Sequence, residues 1–310
     1  MIVPLWPLAL VISLPLTVLL ADRLRVWAPR LGLVDSTDRR KSHRGTVPIG
    51  GAAVIIGCLG AFVPVLIQAP SLIWWTLGAL SVGIVGLLDD RRSLAPLVKL
   101  GVHVIAAVLA LQHGPDVSAV NLLGWTLHLG IAGDAFLVVW IVGLTNAFNL
   151  TDGLDGLACG AVVPLAAATI ALSAVSGDTS TLALGLALGG AALGFLGFNR
   201  HPARLFLGDG GSYFLGFLLA LATLRATQAD ADTGMPLAVL AFMWGYPIVD
   251  TGWAIVRRAK AKRPIFSPDR AHLHHRLLSF AGRYRAAVWT LYGVFTGLTV
   301  LGLLVWIIGH

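Results

Sequence analysis

Ten stretches of apolar residues, each about the 20 residues a helix needs to cross the hydrocarbon core, dominate this chain of 310 residues. They lie near 2–21, 49–68, 71–88, 94–112, 132–149, 157–175, 180–198, 210–227, 235–256 and 286–309. In lipid every backbone N–H and C=O must be satisfied within the segment, so runs of this length predict helices, not strands. Hydrophobic residues make up 57% of the chain and charged residues 12%, at a mean hydropathy of +0.83. A soluble domain carries roughly a quarter charged residues, which excludes a soluble enzyme, a coiled coil and a disordered chain. The first run has no basic residue before it and leads into a basic loop, so it is expected to stay as a span and not to be cleaved as a signal. No repeat or low-complexity segment divides the sequence. The expectation is an all-α polytopic membrane protein of about ten transmembrane helices, one domain over residues 1–310.

Charge orients these spans. Loops 22–48, 89–99, 199–209 and 257–285 hold 7, 3, 2 and 9 of the 22 Lys and Arg residues, and only Arg225 falls near the other face. Cytoplasmic loops carry the excess of Lys and Arg, so these loops are expected in the cytoplasm and both termini outside. The formal net charge of +7 then belongs to one face. Topology alone explains it, or it attracts an anionic substrate or anionic lipid heads. No nucleic-acid partner is expected. Cys58 and Cys159 lie in apolar runs, too few for a disulfide framework or a cysteine-ligated zinc.

All fifteen acidic residues are aspartate, and an aspartate at the centre of a span costs about 2.5–3.5 kcal/mol on insertion scales. Those at span ends on the basic face are therefore informative. Asp89 and Asp90 end the third run beside Arg91 and Arg92; they read as a solvated helix end or as a base or divalent-ion anchor. The segment Asn146-Ala-Phe-Asn149-Leu-Thr-Asp152-Gly-Leu-Asp155-Gly156 spaces Asn146, Asn149 and Asp152 by three, so one helical face can present two amide oxygens and a carboxylate. Such oxygens suit magnesium, which keeps several waters and takes one or two protein groups plus phosphates. Helix capping accounts for one such residue, not four. Phe206-Leu-Gly208-Asp209-Gly210-Gly211-Ser212 opens the eighth run; it is either a Gly-rich cap or an anion site at a helix N-terminus with Asp209 on a metal.

The last loop carries Asp269, Arg270, His272, His274 and His275. Its histidine spacing is not the i, i+4 pair of a helical zinc site. Imidazoles with Arg270 suit a pyrophosphate, and a merely basic juxtamembrane loop is the alternative. His103, His113, His128 and His310 read as ordinary, and His201 as a loop residue. The first basic loop runs through Lys41 and His43 to Pro48, Gly50 and Gly51, as if the backbone turned beneath something.

In this order, the basic-Pro-x-Gly-Gly, Asp-Asp, Asn-Ala-Phe-Asn-x-x-Asp-Gly-x-Asp-Gly, Phe-x-Gly-Asp-x-Gly-Ser and His-x-His-His motifs resemble the polyprenyl-phosphate N-acetylhexosamine-1-phosphate transferases over residues 39–275. The resemblance implies transfer of a sugar 1-phosphate from a UDP-sugar to a membrane polyprenyl phosphate, releasing UMP, with magnesium or manganese. The pattern His272-Leu-His274-His275 after Ser-Pro-Asp-Arg looks like the branch using UDP-N-acetylglucosamine for O-antigen, enterobacterial common antigen or teichoic acid linkage units. The peptidoglycan branch, with three consecutive histidines, is the alternative. The resemblance implies Asp209 and Asn149 as metal ligands and Asp89 and Asp90 at the lipid phosphate. It further implies Asp152, Asp155, Asn199 and Phe206 at the nucleotide, with Phe206 free to stack on uracil. Lys41, Arg270 and the three histidines would meet phosphates or the sugar, with His43 and Asn146 also in the substrate site. A homodimer through an exposed helix pair is open. An ion-coupled transporter is the remaining rival, although it would place its polar residues near the middle of the spans.

Overall fold

The computed structural model describes residues 6–28, 30, 49–114, 117–122, 124–228, 235–264 and 272–309. Lys41, His43, Asp269 and Arg270 lie outside the described residues. Helices α1 (Trp6–Trp27), α2 (Gly50–Gln68), α3 (Ile73–Arg91), α4 (Pro96–Leu111), α5 (Gly133–Thr151), α6 (Leu157–Ser176), α7 (Thr179–Asn199) and α8 (Gly208–Thr227) follow the first eight apolar runs. The ninth run divides into α9 (Leu237–Met243) and α10 (Gly245–Lys260), the short α11 (Leu273–Ala281) carries the histidines, and α12 (Tyr284–Gly309) is the tenth run.

Each of the ten runs is helical, but not each is a simple span. Seven described helices are long and apolar enough to cross a bilayer, and α9 with α10 makes an eighth although bent by 83°. The remaining two depart in different ways: α4 has 16 residues, and α8 spends its first turn on the polar Gly208–Ser212. The bend has a local cause. Pro247 sits in the first turn of α10, where its missing N–H is tolerated and its fixed φ favours starting a new helix over continuing one. Beyond the bend α10 is amphipathic, burying Tyr246, Asp250 and Ala254 and exposing Val249, Trp253, Ile255 and Val256.

Helix α8 is the axis of the bundle. From Gly210 to Thr227 nearly every residue is buried, and α3, α5, α6 and α2 pack around it. An apolar helix surrounded by apolar helices shows no amphipathic stripe, so its central place is not visible in its sequence. Close approach is provided by glycine. A Cβ on Gly51 of α2 would meet Gly211 N at 2.4 Å, and one on Gly86 of α3 would meet Asp209 C at 2.5 Å. Elsewhere α1 lies against α7 through Gly190, whose added Cβ would fall 2.1 Å from Ser13 Oγ.

A small sheet closes the end opposite the aspartates, its first two strands between the fourth and fifth apolar runs and its third at the start of the ninth, where run length predicts helix. Strand β1 (Ala119–Leu122) pairs antiparallel with β2 (Trp125–His128), Ala119 opposite His128, and parallel with β3 (Met235–Pro236). At that same end Asp178 caps α7 and accepts from Arg225 Nε at 2.7 Å, which gives the one basic residue of that face a partner.

Candidate active site

The end of α3, the starts of α4 and α8 and the end of α5 meet at one end of the bundle, and their polar residues meet with them. Asp89 accepts from Leu94 N at 2.6 Å and from Lys99 Nζ at 2.7 Å. Lys99 Nζ also lies 3.6 Å from Asp209 Oδ2, so one ammonium stands between carboxylates from two helices. Asn149 Nδ2 donates to Asp209 Oδ1 at 2.9 Å and to Ser212 Oγ at 2.8 Å. Asn149 thus reaches Asp209 through its nitrogen: in this arrangement it orients the carboxylate and does not lay an oxygen beside it.

Asp90, expected at the lipid phosphate, lies beside Asp209 at the start of α8. Its two oxygens accept Asp209 N at 2.9 Å and Gly210 N at 3.1 Å, so it fastens the start of α8 to the end of α3. Gly208 makes this possible. Its φ is +70°, a conformation costly for other residues, and a Cβ there would lie 2.6 Å from Asp90 Oδ2. Asp152, just beyond α5, accepts the Gly208 N–H, and its carboxyl is pushed well above the usual range by burial and by Asp209, Asp90 and Asp155.

The loop after α5 is held from both sides. Asp155 Oδ2 accepts His201 Nδ1 at 2.8 Å and Ala203 N at 3.1 Å, and its backbone N–H donates to the Tyr284 hydroxyl. Asn199, expected at the nucleotide, is 2% exposed and spends its Oδ1 on Gly156 N and its Nδ2 on Leu205 O, each at 3.0 Å. Its job here is to tie two loops together. Phe206 is half-buried and its carbonyl accepts Gly50 N at 3.1 Å, so Gly50 and Gly51 turn the chain beneath the Phe206–Asp209 loop. Asn146 lies one turn deeper in α5, against His103 Nδ1 at 3.1 Å.

The histidines arrive from over a hundred residues away. His274 is 1% exposed and packs on Gly153, where a Cβ would meet its Nε2 at 2.0 Å. Its ring lies parallel to His272 at 5.6 Å and 4.3 Å from His275. Burial holds His274 down to a pKa of about 4, so at neutral pH it is an uncharged donor–acceptor.

Several residues that form this end were not singled out in the sequence. Lys99 passed for a topogenic charge, yet it is the cation of the cluster, 6.0 Å over the Tyr213 ring. His103 was set aside as ordinary, yet it stands edge-on to Tyr213 at 4.5 Å. Asp250 of α10 accepts His272 Nδ1 at 3.0 Å and Leu273 N at 2.7 Å, so it fixes the start of the histidine helix. Its signal was visible: an aspartate well inside an apolar run. His201, read as a loop residue, is one, but it is also stacked on Tyr284 at 3.8 Å.

Among the described residues, no three His, Cys or Asp side chains converge to enclose a metal. What converges is two carboxylates, Asp89 and Asp209, around Lys99, an oxygen set that suits a partly hydrated hard cation.

Fold and site together describe a multi-pass membrane protein with carboxylates from two helix ends around Lys99 and a histidine cluster beside them. Residues 72–227 match the model of glycosyl transferase family 4. The chain is 36% identical to a "probable undecaprenyl-phosphate N-acetylglucosaminyl 1-phosphate transferase" of Bacillus subtilis, over 92% of this chain and 80% of that protein. It is 31% identical to the undecaprenyl-phosphate alpha-N-acetylglucosaminyl 1-phosphate transferase of Thermotoga maritima, over 86% of this chain and 80% of the relative. With a phospho-N-acetylmuramoyl-pentapeptide-transferase of Lactococcus lactis it shares 28%, over 83% and 81%. The chain belongs to glycosyl transferase family 4. The transporter reading falls with that placement.

Proposed function

We propose that this enzyme transfers N-acetylglucosamine 1-phosphate from its UDP derivative to undecaprenyl phosphate, releasing UMP, at the cytoplasmic face of a bacterial inner membrane. The observation that carries the reading is the Asp89–Lys99–Asp209 bridge at the start of α8. A water-soluble diphosphate and a membrane-bound phosphate can meet only at the interface, and phosphoryl transfer asks chiefly for positioning and charge neutralisation there. The named relatives that act on N-acetylglucosaminyl 1-phosphate support the donor, and the basic loops support the side.

A lipid phosphate oxygen attacks the phosphorus that carries the sugar. One P–O bond forms, the bond to the bridging diphosphate oxygen breaks, and UMP leaves with that oxygen. With a second pKa of about 6, the attacking phosphate is already ionised, so no strong base is required. A two-step route through an aspartyl phosphate would instead show isotope exchange between UMP and donor without lipid. Lys99 is placed to turn from the carboxylates to an arriving phosphate. Asp152, with its raised affinity for a proton, can donate a hydrogen bond to a phosphate oxygen, and His274 can do so as a neutral imidazole. Asp209 and Asp89 would hold magnesium, or manganese, with Asn149 steadying Asp209. Bound there, the ion would neutralise charge on the diphosphate. The exposed apolar face of α10 supplies a surface along which a polyprenyl chain can lie.

The test is UMP release by purified protein with undecaprenyl phosphate and magnesium across a panel of UDP-sugars. Release with UDP-N-acetylglucosamine and not with the muramoyl-pentapeptide donor is expected. The reverse preference would assign the peptidoglycan branch, and no lipid-dependent release with any donor would refute the proposal.

A further inference from the structure

Beside the active end, on the flank formed by α7 and α12, lies a cavity of about 620 Å³. Its lining includes Asp155 but none of Asp89, Asp90, Lys99, Asn149 or Asp209. Three arginines surround it: Arg200 and Arg204 just after α7, and Arg285 in the first turn of α12. All three are exposed, and among the described residues no carboxylate pairs with any of them. The one acid in the wall, Asp155, gives its Oδ2 to His201 and Ala203 N.

Below the arginines the wall turns apolar, with Leu196 of α7 and Val288 of α12. Aromatic rings stand at the rim. Trp289 is 70% exposed and lies edge-on to Tyr292 at 5.5 Å, the placement typical of amphipathic rings at a membrane–water boundary. Guanidinium groups at the ends of two helices with no carboxylate partner among the described residues, above an apolar wall of spanning helices, match one class of ligand: a phosphodiester headgroup with acyl chains attached. Arginine presents the fork that a phosphate accepts, and a nucleotide would leave the apolar wall and the exposed tryptophan without a partner.

We propose that this pocket seats the headgroup of an anionic phospholipid, and that its occupant steadies the catalytic loop. The link to the loop is direct. The hydroxyl of Tyr284 accepts Asp155 N–H, and that of Tyr292 donates to Gly156 O at 2.7 Å; both rings line the pocket. A lipid packed against them holds the Asp152–Gly156 turn from its outer side.

The experiment compares wild type with the triple variant Arg200→Gln, Arg204→Gln, Arg285→Gln and with Arg285→Gln alone. A control carries Arg23→Gln, Arg25→Gln and Arg30→Gln near the end of α1. Each is placed in nanodiscs of phosphatidylcholine with or without phosphatidylglycerol, and the lipid retained after extraction is counted by mass spectrometry. At about 1 kcal/mol per basic residue near a lipid surface, each pocket arginine removed should lower phosphatidylglycerol retention by about fivefold. The control should retain it as wild type does. Wild-type UMP release should rise several-fold with phosphatidylglycerol, and the triple variant should match wild type in phosphatidylcholine but show no rise. Retention undiminished in the triple variant, or equally diminished in the control, overturns the proposal. So does a raised KM for the UDP-sugar in pure phosphatidylcholine, which would give the pocket to the donor. Lipid retention does not depend on the transferase reading, so failure of that reading leaves this arm standing.

Discussion

Gly86→Ala adds one methyl group where α3 meets α8, and its effect should be far larger on catalysis than on folding. The new Cβ would lie 2.5 Å from Asp209 C, 2.6 Å from its O and 2.6 Å from Gly210 Cα. All three are backbone atoms, so no side chain can swing aside. Ordinary contact begins at 3.4 Å, which leaves about 0.9 Å to be found by moving one helix from the other. That motion acts on the Asp209 and Gly210 N–H groups, which Asp90 of the same helix α3 holds at 2.9 and 3.1 Å. Overpacking of this kind costs about 1–3 kcal/mol of stability, whereas a displacement near 1 Å at the reacting groups costs about a hundredfold in rate. Gly83→Ala is the control. One turn earlier on α3, its Cβ would meet Ile55 Cδ1 at 3.0 Å and Phe214 side-chain atoms at 3.5 Å, a flexible tip and an ordinary contact. Thermal melting in detergent and kcat for UMP release should separate the two variants. A stable Gly86→Ala protein with wild-type kcat, or a Gly83→Ala protein equally impaired, would refute the view that this glycine sets the position of Asp209.

Asp209→Asn should lower kcat by at least about a hundredfold while the melting temperature stays near wild type; full activity at ordinary magnesium would remove Asp209 from the metal. Asp90→Asn keeps one acceptor for two N–H groups, so it should lose about 1.5–3 kcal/mol of stability, with kcat reduced and the donor KM little changed. Asp250→Ala leaves buried His272 without its partner and should melt about 1–3 kcal/mol lower, with Asp250→Asn recovering most of that loss. A pH series on His274 has a defined sign. Its folded pKa is about 4 against an ordinary 6.5, so between these values the unfolded chain binds a proton that the folded one refuses. Stability is unaffected above about pH 6.5 and should fall by about 3 kcal/mol towards pH 4. Melting curves of His274→Gln should lack that part of the fall.

Helices were legible because the bilayer fixes their length, and span-end aspartates because lipid makes them costly. What stayed hidden depends on pairing across space. Lys99 sits ten residues from Asp89 on the next helix, so in sequence it counts as one more basic loop residue; only the turn between α3 and α4 brings it to 2.7 Å. Asp90 and Asp89 are neighbours and looked equivalent. The helix turns their carboxyls apart, one to a side-chain ammonium and the other to the backbone of α8, and the sequence holds no trace of that division. The bend at Trp244 is a third case: run length suggested one span over 235–256, and length says nothing about direction. Asp250 and His103 differ from these. Both interrupt apolar runs, both are buried, and both hold another polar residue of this end, Asp250 holding His272 and His103 meeting Asn146. Applying the cost of polar burial inside the spans, and not only at their ends, would have found them. In this fold the same penalty that marks the span-end carboxylates also marks the residues that hold them in place.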